Sequence, residues 1–166
     1  MTTGVTPEAD AALRAHVRAL LTRANAHETL DDVLDRFPVG RAGERVHDLP
    51  YSAAEILWHL RFTQRDILNF VRDASYEHAA WPAAYWPHDP AGAAQEWDAQ
   101  VVAFRADLAA LLALLDDPAT DLLAVVPNGE GAGGQTWLRE FLLVADHTAY
   151  HVGQLRLLRR LLSNGA

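Results

Sequence analysis

Apolar residues return at intervals of three and four positions in four long stretches of the chain, and proline- or glycine-rich segments separate these stretches. This spacing places the apolar side chains on one face of an α-helix, whereas a half-buried strand would alternate at every second residue. No segment shows a convincing two-residue alternation. The pattern therefore predicts an all-α fold, a four-helix bundle with long loops between helices 2 and 3 and between helices 3 and 4.

Local signals place the ends of the predicted helices. The first helix is expected to begin after Thr6, where a hydroxyl precedes a proline, and to continue to about His27. A short helix follows Thr29, and the second main helix opens at Ser52 with the spacing of a capping box and ends near residue 73. The proline- and tryptophan-rich residues 76–92 predict a loop, the third helix spans about 93–115, and Thr136 caps a last helix that reaches about residue 162.

Length, charge and cysteine content exclude several classes of function. A chain of 166 residues suits one domain, which we expect to span residues 1–166. It contains no cysteine, so disulfides, thiolate nucleophiles and cysteine metal sites are excluded and any metal must use nitrogen or oxygen ligands. The net charge of -8 argues against nucleic acid and anionic membranes as partners, because both reward a basic surface.

The N-terminal segment shows no basic region followed by an apolar run, and no stretch of the chain approaches the roughly 20 apolar residues of a membrane span. The glycine-rich residues 129–134 lack the lysine of a phosphate-binding loop. These observations predict a cytoplasmic protein that acts on a small molecule rather than on a nucleotide, a nucleic acid or a membrane.

The histidines of the last predicted helix carry the strongest chemical signal. His147 and His151 are four residues apart, so both imidazoles project from the same side of a helix and can reach one ion. His59 lies in the second main helix, near the edge of an apolar face that can meet the last helix across the bundle. Three imidazoles would hold a divalent ion and leave a position for water or substrate. The alternative is that the pair lies on the surface and that His59 is a hydrogen-bonded core residue.

Other polar and aromatic residues are candidates for contacts around this site. His27 falls on the predicted apolar stripe of the first helix, so it is either a substrate contact or proton carrier in the cavity or a core histidine. The remaining candidates either orient an imidazole or line the pocket, and each has a plain alternative as a solvated or packing residue: Glu55, Asp146, Gln154 and Trp86.

Two segments resemble one known family. Residues 144–155 (VADHTAYHVGQL) resemble the last helix of DinB-like proteins, and residues 57–61 (LWHLR) resemble their second helix. The likeness to this DinB/YfiT-like superfamily covers almost the whole chain. It implies a DinB/YfiT-like four-helix bundle in which one histidine of the second helix and two of the last bind zinc, nickel or a similar divalent ion. His59, His147 and His151 match these positions.

The resemblance also implies a class of activity. Members with established roles include thiol-dependent transferases and isomerases, so we expect a metal-dependent hydrolase or low-molecular-weight-thiol S-transferase that acts on a small electrophile in stress or detoxification. A thiol cosubstrate belongs to the second activity. Imidazole ligands accept zinc, nickel, iron and manganese alike, so the sequence does not choose the metal. The alternative is a non-catalytic bundle that binds metal or dimerises, and the family makes a homodimer an open expectation.

Overall fold

The computed structural model describes residues 5–164 of the chain, and the first four residues of the N-terminal segment lie outside this range. Between residues 5 and 164 the chain forms helices and a single bridge between Val125 and Thr136, with no strand. The all-α prediction is therefore confirmed. Four long helices are accompanied by two short ones, which the structure places as α1 (Pro7–Thr22), α2 (Leu30–Leu34), α3 (Ala53–Arg72), α4 (Pro90–Gln95), α5 (Trp97–Asp116) and α6 (Trp137–Asn164).

The predicted helix starts are confirmed where side chains cap the backbone. Ser52 and Glu55 form a capping box at α3, since the serine hydroxyl accepts from the Glu55 amide and the Glu55 carboxylate accepts from the Ser52 amide. Thr29 forms the equivalent box at α2, and the Thr136 hydroxyl accepts from the amide of Arg139 at α6. Each cap satisfies amide groups that have no partner within the helix, which fixes where the helix begins.

Two predicted boundaries were wrong. Helix α1 ends at Thr22 rather than near His27, because the side-chain amide of Asn25 donates to the carbonyl oxygens of Ala19 (3.0 Å) and Arg23 (2.9 Å) and caps the last turn. The apolar stripe expected on this helix is only partly buried, and Leu20 is 49% exposed. The predicted third helix is two helices, because the chain turns at Glu96 between α4 and α5. Helix α4 also occupies part of the predicted loop.

The long helices pack through two hydrophobic clusters, and both clusters contain residues of α3 and α6. Helix α3 packs against α5 and α6, and α1 packs against the same two helices. Buried leucines form much of the contact, including Leu57 and Leu60 of α3 and Leu155 of α6. Burying one such side chain stabilises a fold by about 1.5–3 kcal/mol, so this packing holds the two helices in a fixed register. A site built from α3 and α6 therefore rests on rigid elements.

The two long connections are tied to each other and to α3. The side-chain amide of Asn128, in the segment 117–136, donates to the carbonyl oxygen of Tyr76 (2.7 Å) in the segment 73–89. The carboxylate of Asp66 on α3 accepts from the hydroxyls of Tyr76 (2.7 Å) and Tyr85 (2.9 Å). These bonds hold the aromatic segment 76–87 beside α3, which brings Tyr85 and Trp86 to the histidines.

No helix within residues 5–164 combines the length and apolarity needed to cross a membrane.

Candidate metal centre

Helices α3 and α6 bring the three predicted histidines together. His59 lies in α3, and His147 and His151 are one turn apart on the face of α6 that meets it. One ring nitrogen from each histidine lies within 4.8 Å of the other two. His59 and His151 are buried, with 3% and 5% exposure, and His147 is half-buried. The alternative that His147 and His151 form a surface pair is therefore wrong, whereas His59 is a buried residue as that alternative expected.

Two of the imidazoles are oriented by hydrogen bonds on their outer nitrogens. The Nδ1 of His59 lies 2.7 Å from the carbonyl oxygen of Tyr85, and the Nδ1 of His151 lies 2.7 Å from Oε1 of Gln154. Both partners are acceptors only, so each Nδ1 carries the hydrogen. The Nε2 atom of each ring is then the one with a free electron pair, which is how proteins prepare histidines for a metal.

The spacing of the inner nitrogens fits a bound cation. The Nε2 atoms of His59 and His147 are 3.1 Å apart. A tetrahedral ion with metal–nitrogen bonds of 2.0–2.1 Å separates its nitrogen ligands by about 3.3 Å. Two nitrogen electron pairs at such a distance repel each other unless a proton or a cation lies between them. The three histidines therefore fit a divalent ion of the kind that imidazole prefers, such as zinc or nickel.

Burial keeps the three imidazoles neutral at neutral pH. It lowers the pKa of His147 to about 3, with repulsion from His151 and His59 acting in the same direction. Burial lowers the pKa of His151 to about 4, and the pKa of His59 also falls, although the bonds to Gln154 and Tyr85 oppose these shifts. A metal ligand must be unprotonated, so the site is ready to bind without first losing protons.

These pKa shifts predict that the metal-free protein loses stability in mild acid. Each folded-state pKa lies below the unfolded value of about 6.5, so between the two values the unfolded chain binds more protons and the free energy of unfolding falls as pH falls. The contribution of the neutral histidines to the free energy of unfolding is fully present above pH 6.5. From pH 7 to pH 5 we expect a loss of about 2 kcal/mol or more, measured by urea unfolding in the presence of a chelator.

The control for this experiment is the double variant His147→Ala, His151→Ala. It removes the two groups with the lowest pKa values and leaves only the contribution of His59, so its free energy of unfolding should change much less than that of the wild type between pH 7 and pH 5. The interval stops above the range where most carboxylates titrate, which separates the histidines from the acids. A wild-type profile as flat as that of the double variant would contradict the assignment.

Aromatic rings surround the three histidines. The ring of Trp86 stacks on His59, with centroids 4.3 Å apart and planes 8° apart, and on Tyr51, with centroids 3.6 Å apart and planes 1° apart. Tyr150 meets His151 edge-on at 4.9 Å. A cavity of about 300 Å³ is lined by the three histidines, Gln154 and four aromatic residues, which are Tyr51, Trp81, Trp86 and Tyr150. The histidine cluster thus opens into a space large enough for a small molecule.

A second cavity, of about 680 Å³, also reaches the site. It shares His147 and Trp81 with the first cavity, but its other polar lining residues include the charged groups Asp66, Arg139 and Glu140. Glu140 is buried and accepts from Arg139 at 2.8 Å, and burial raises the pKa of its carboxyl group although Arg139 opposes this. Two cavities, one lined mainly by aromatic rings and one with charged lining residues, therefore adjoin His147.

A family model described as the DinB superfamily matches residues 22–155, which include all three histidines and Gln154. The chain belongs to the DinB superfamily. Proteins of the DinB superfamily often bind metal, and the histidine cluster is compatible with that property. No curated protein and no solved structure matches the chain.

Of the other residues that the sequence predicted around the histidine cluster, some contact a histidine and others do not. Gln154 and Trp86 both contact a histidine of the cluster, through a hydrogen bond and a ring stack respectively. Glu55 does not orient His59 by the expected route, because its carboxylate is buried in the capping box and pairs with Arg45 at 2.6 Å. Asp146 lies exposed on α6. It points to solvent because α6 turns His147 and His151, not the residue before them, toward α3.

His27 is not where the apolar stripe of the first helix placed it. The helix ends at Thr22, so His27 lies in an exposed connection and its Nδ1 contacts the carbonyl oxygen of Glu28 at 2.7 Å. It lines a different cavity, between α1, α5 and α6, that does not include the three histidines. Both the proton-carrier expectation and the core-histidine alternative were therefore wrong for this residue.

Sequence reasoning missed three contributors to the site. The carbonyl oxygen of Tyr85 orients His59, and a backbone atom leaves no signal in residue type. Tyr51 and Tyr150 line the cavity, and both are adjacent in sequence to recognised features, namely the Ser52 cap and His151. Their nearness along the chain is the signal that could have identified them.

Proposed function

We propose that the chain is a metal-dependent enzyme that transfers a low-molecular-weight thiol to a small electrophilic substrate. The observation that carries this proposal is the convergence of three neutral imidazoles, two of them fixed by acceptors on their outer nitrogens. Structural zinc sites usually use four protein ligands, whereas three leave a coordination position open for a reactant. A divalent ion supplies Lewis-acid chemistry and lowers the pKa of a nucleophile that coordinates it.

The protein's own residues support this role by positioning rather than by acid–base chemistry. Gln154 and the Tyr85 carbonyl keep the Nε2 atoms of His151 and His59 directed inward. Trp86 packs flat on His59 and limits rotation of its ring. Removal of such outer contacts typically lowers metal affinity or activity 10- to 100-fold. We expect a loss of about this size when the contact to His59 or to His151 is removed.

The chemistry of the cavity walls favours a thiol over water as the nucleophile. The residues that line the 300 Å³ cavity include no carboxylate that could take a proton from water. Free in solution, a thiol with a pKa of about 8.5 gives up its proton more easily than water with a pKa of about 15.7, and coordination to a divalent ion lowers both pKa values. The second cavity, which shares His147, offers a separate place for a polar second reactant. Hydrolysis needs no such second space.

The test is product analysis with zinc- and nickel-loaded protein, cysteine as the thiol and a panel of 1-chloro-2,4-dinitrobenzene, styrene oxide and phenyl acetate. With the first electrophile, thiol transfer forms a carbon–sulfur bond, releases chloride and yields the thiol proton to solvent, whereas hydrolysis gives 2,4-dinitrophenol. We expect the thioether, with the rate falling to background in His147→Ala. Dinitrophenol, or the acid and diol from the other substrates, would support hydrolysis instead. No metal-dependent product from any of the three would favour the non-catalytic alternative.

A further inference from the structure

The aromatic walls of the 300 Å³ cavity divide into a fixed part and an exposed part. Tyr51 stacks on Trp86, and Trp86 stacks on His59, so both side chains are already packed within the protein. Trp81 and Tyr150 are 72% and 65% exposed, although both line the same cavity. Large aromatic side chains held in solvent beside a cavity are typical of binding surfaces rather than of folding cores.

The few contacts of these two exposed rings leave most of their surface open. Trp81 meets Tyr85 edge-on with centroids 5.0 Å apart, and Tyr150 meets His151 in the same way at 4.9 Å. The ring planes are 67° apart in the contact between Trp81 and Tyr85, and 86° apart in the contact between Tyr150 and His151. A planar group that enters the cavity can pack against these rings by the offset-stacked or edge-to-face arrangements that aromatic pairs prefer.

The polarity of the cavity narrows the chemical class of its ligand. Apart from the three histidines, its walls are aromatic rings and the amide of Gln154, with no arginine, aspartate or glutamate among them. The neighbouring 680 Å³ cavity holds the charged groups Asp66, Arg139 and Glu140. A charged substituent is therefore better accommodated in the second cavity, and an uncharged ring is better accommodated in the first.

We propose that Trp81 and Tyr150 bind an aromatic ring of the substrate, so that the electrophile of this site is an aryl compound whose ring lies in the 300 Å³ cavity. This inference rests on the proposed function, because it assigns the substrate class of the same histidine centre. Trp81 and His147 line both cavities, so the ring of Trp81 lies where the aryl reactant and the polar one would meet at the histidine centre.

The test compares two ligands that coordinate metal through the same group. Benzohydroxamic acid carries a phenyl ring where acetohydroxamic acid carries a methyl group, and both are titrated by calorimetry into zinc-loaded protein. We expect benzohydroxamic acid to bind at least about tenfold more tightly, because a well-placed aromatic pair adds to the area that the ring buries. In Trp81→Ala and Tyr150→Ala the preference should fall several-fold, with acetohydroxamic acid binding unchanged.

The matched control is Val102→Ala, which truncates an equally exposed apolar residue on α5 and should keep the full phenyl preference. The inference would be overturned if the zinc-loaded protein bound the two acids with equal affinity, or if its preference for benzohydroxamic acid survived in both Trp81→Ala and Tyr150→Ala. Either result would leave the proposed function standing. A protein that binds neither zinc nor nickel would refute the proposed function and this inference together.

Discussion

His147→Ala is expected to reduce the metal content of the purified protein from about one ion per chain to a trace. His147 is the residue whose Nε2 faces that of His59 at 3.1 Å, and the substitution leaves two imidazoles on different helices. Loss of an outer hydrogen-bond partner alone typically costs a metal site 10- to 100-fold in affinity, and loss of a ligand costs more. The measurement is elemental analysis of untagged protein after dialysis against zinc or nickel.

The fold should survive this change, which makes the result interpretable. His147 is half-buried and adjoins both cavities, so its truncation enlarges an existing space rather than opening one in the leucine core. The control is His27→Ala, which removes the same side chain from an exposed position outside the cluster and should leave the metal content at one ion. Full metal content in a folded His147→Ala protein would rule this histidine out as a ligand.

The parts of the site that the sequence predicted correctly are those that depend on local chemistry. The Ser52 capping box fixes the start of α3, and with it the face on which His59 lies. The spacing of His147 and His151 follows from the helical period once α6 is known to be continuous. Each of these signals acts within one turn of helix, so neither required knowledge of the tertiary structure.

The helix boundaries that the sequence predicted wrongly depend on contacts that are distant in sequence or on single turns of backbone. Nothing in residues 23–27 forbids helix, yet the Asn25 side chain caps α1 five residues early. The turn at Glu96 separates α4 from α5, and beyond it Trp97 is buried against Phe37 of a distant segment with ring centroids 4.9 Å apart. Periodicity cannot anticipate such an interruption, because the apolar pattern continues through the turn.

The orientation of His59 was the least predictable feature of the site. It depends on the Tyr85 carbonyl, which lies 26 residues further along the chain in a segment that sequence patterns indicate only as a loop. That carbonyl is positioned in turn because the Tyr85 hydroxyl donates to Asp66. Burial, reinforced by Asp66, raises the pKa of Tyr85, so the hydroxyl keeps its proton and remains a donor. An aspartate on α3 thereby supports a histidine two turns earlier on the same helix.

Asp66→Ala is therefore expected to weaken both the fold and the metal site. The buried carboxylate accepts from the hydroxyls of Tyr76 and Tyr85 and from Nδ1 of His78 at 3.1 Å. A hydrogen bond to a charged group contributes about 1.5–3 kcal/mol, and the buried Tyr85 hydroxyl would lose its acceptor. We expect a loss of about 3 kcal/mol in the free energy of unfolding, measured by urea denaturation, and about tenfold weaker zinc binding.

Two variants separate this effect from a general change of charge or packing. Tyr85→Phe removes one of the bonds and should cost about 1 kcal/mol, with a smaller effect on zinc affinity. Asp146→Ala removes the same charge from an exposed position beside His147 and should change stability by less than about 0.5 kcal/mol. If Asp146→Ala weakened zinc binding as much as Asp66→Ala, the effect would be one of charge alone, and the route from Asp66 through Tyr85 to His59 would be refuted.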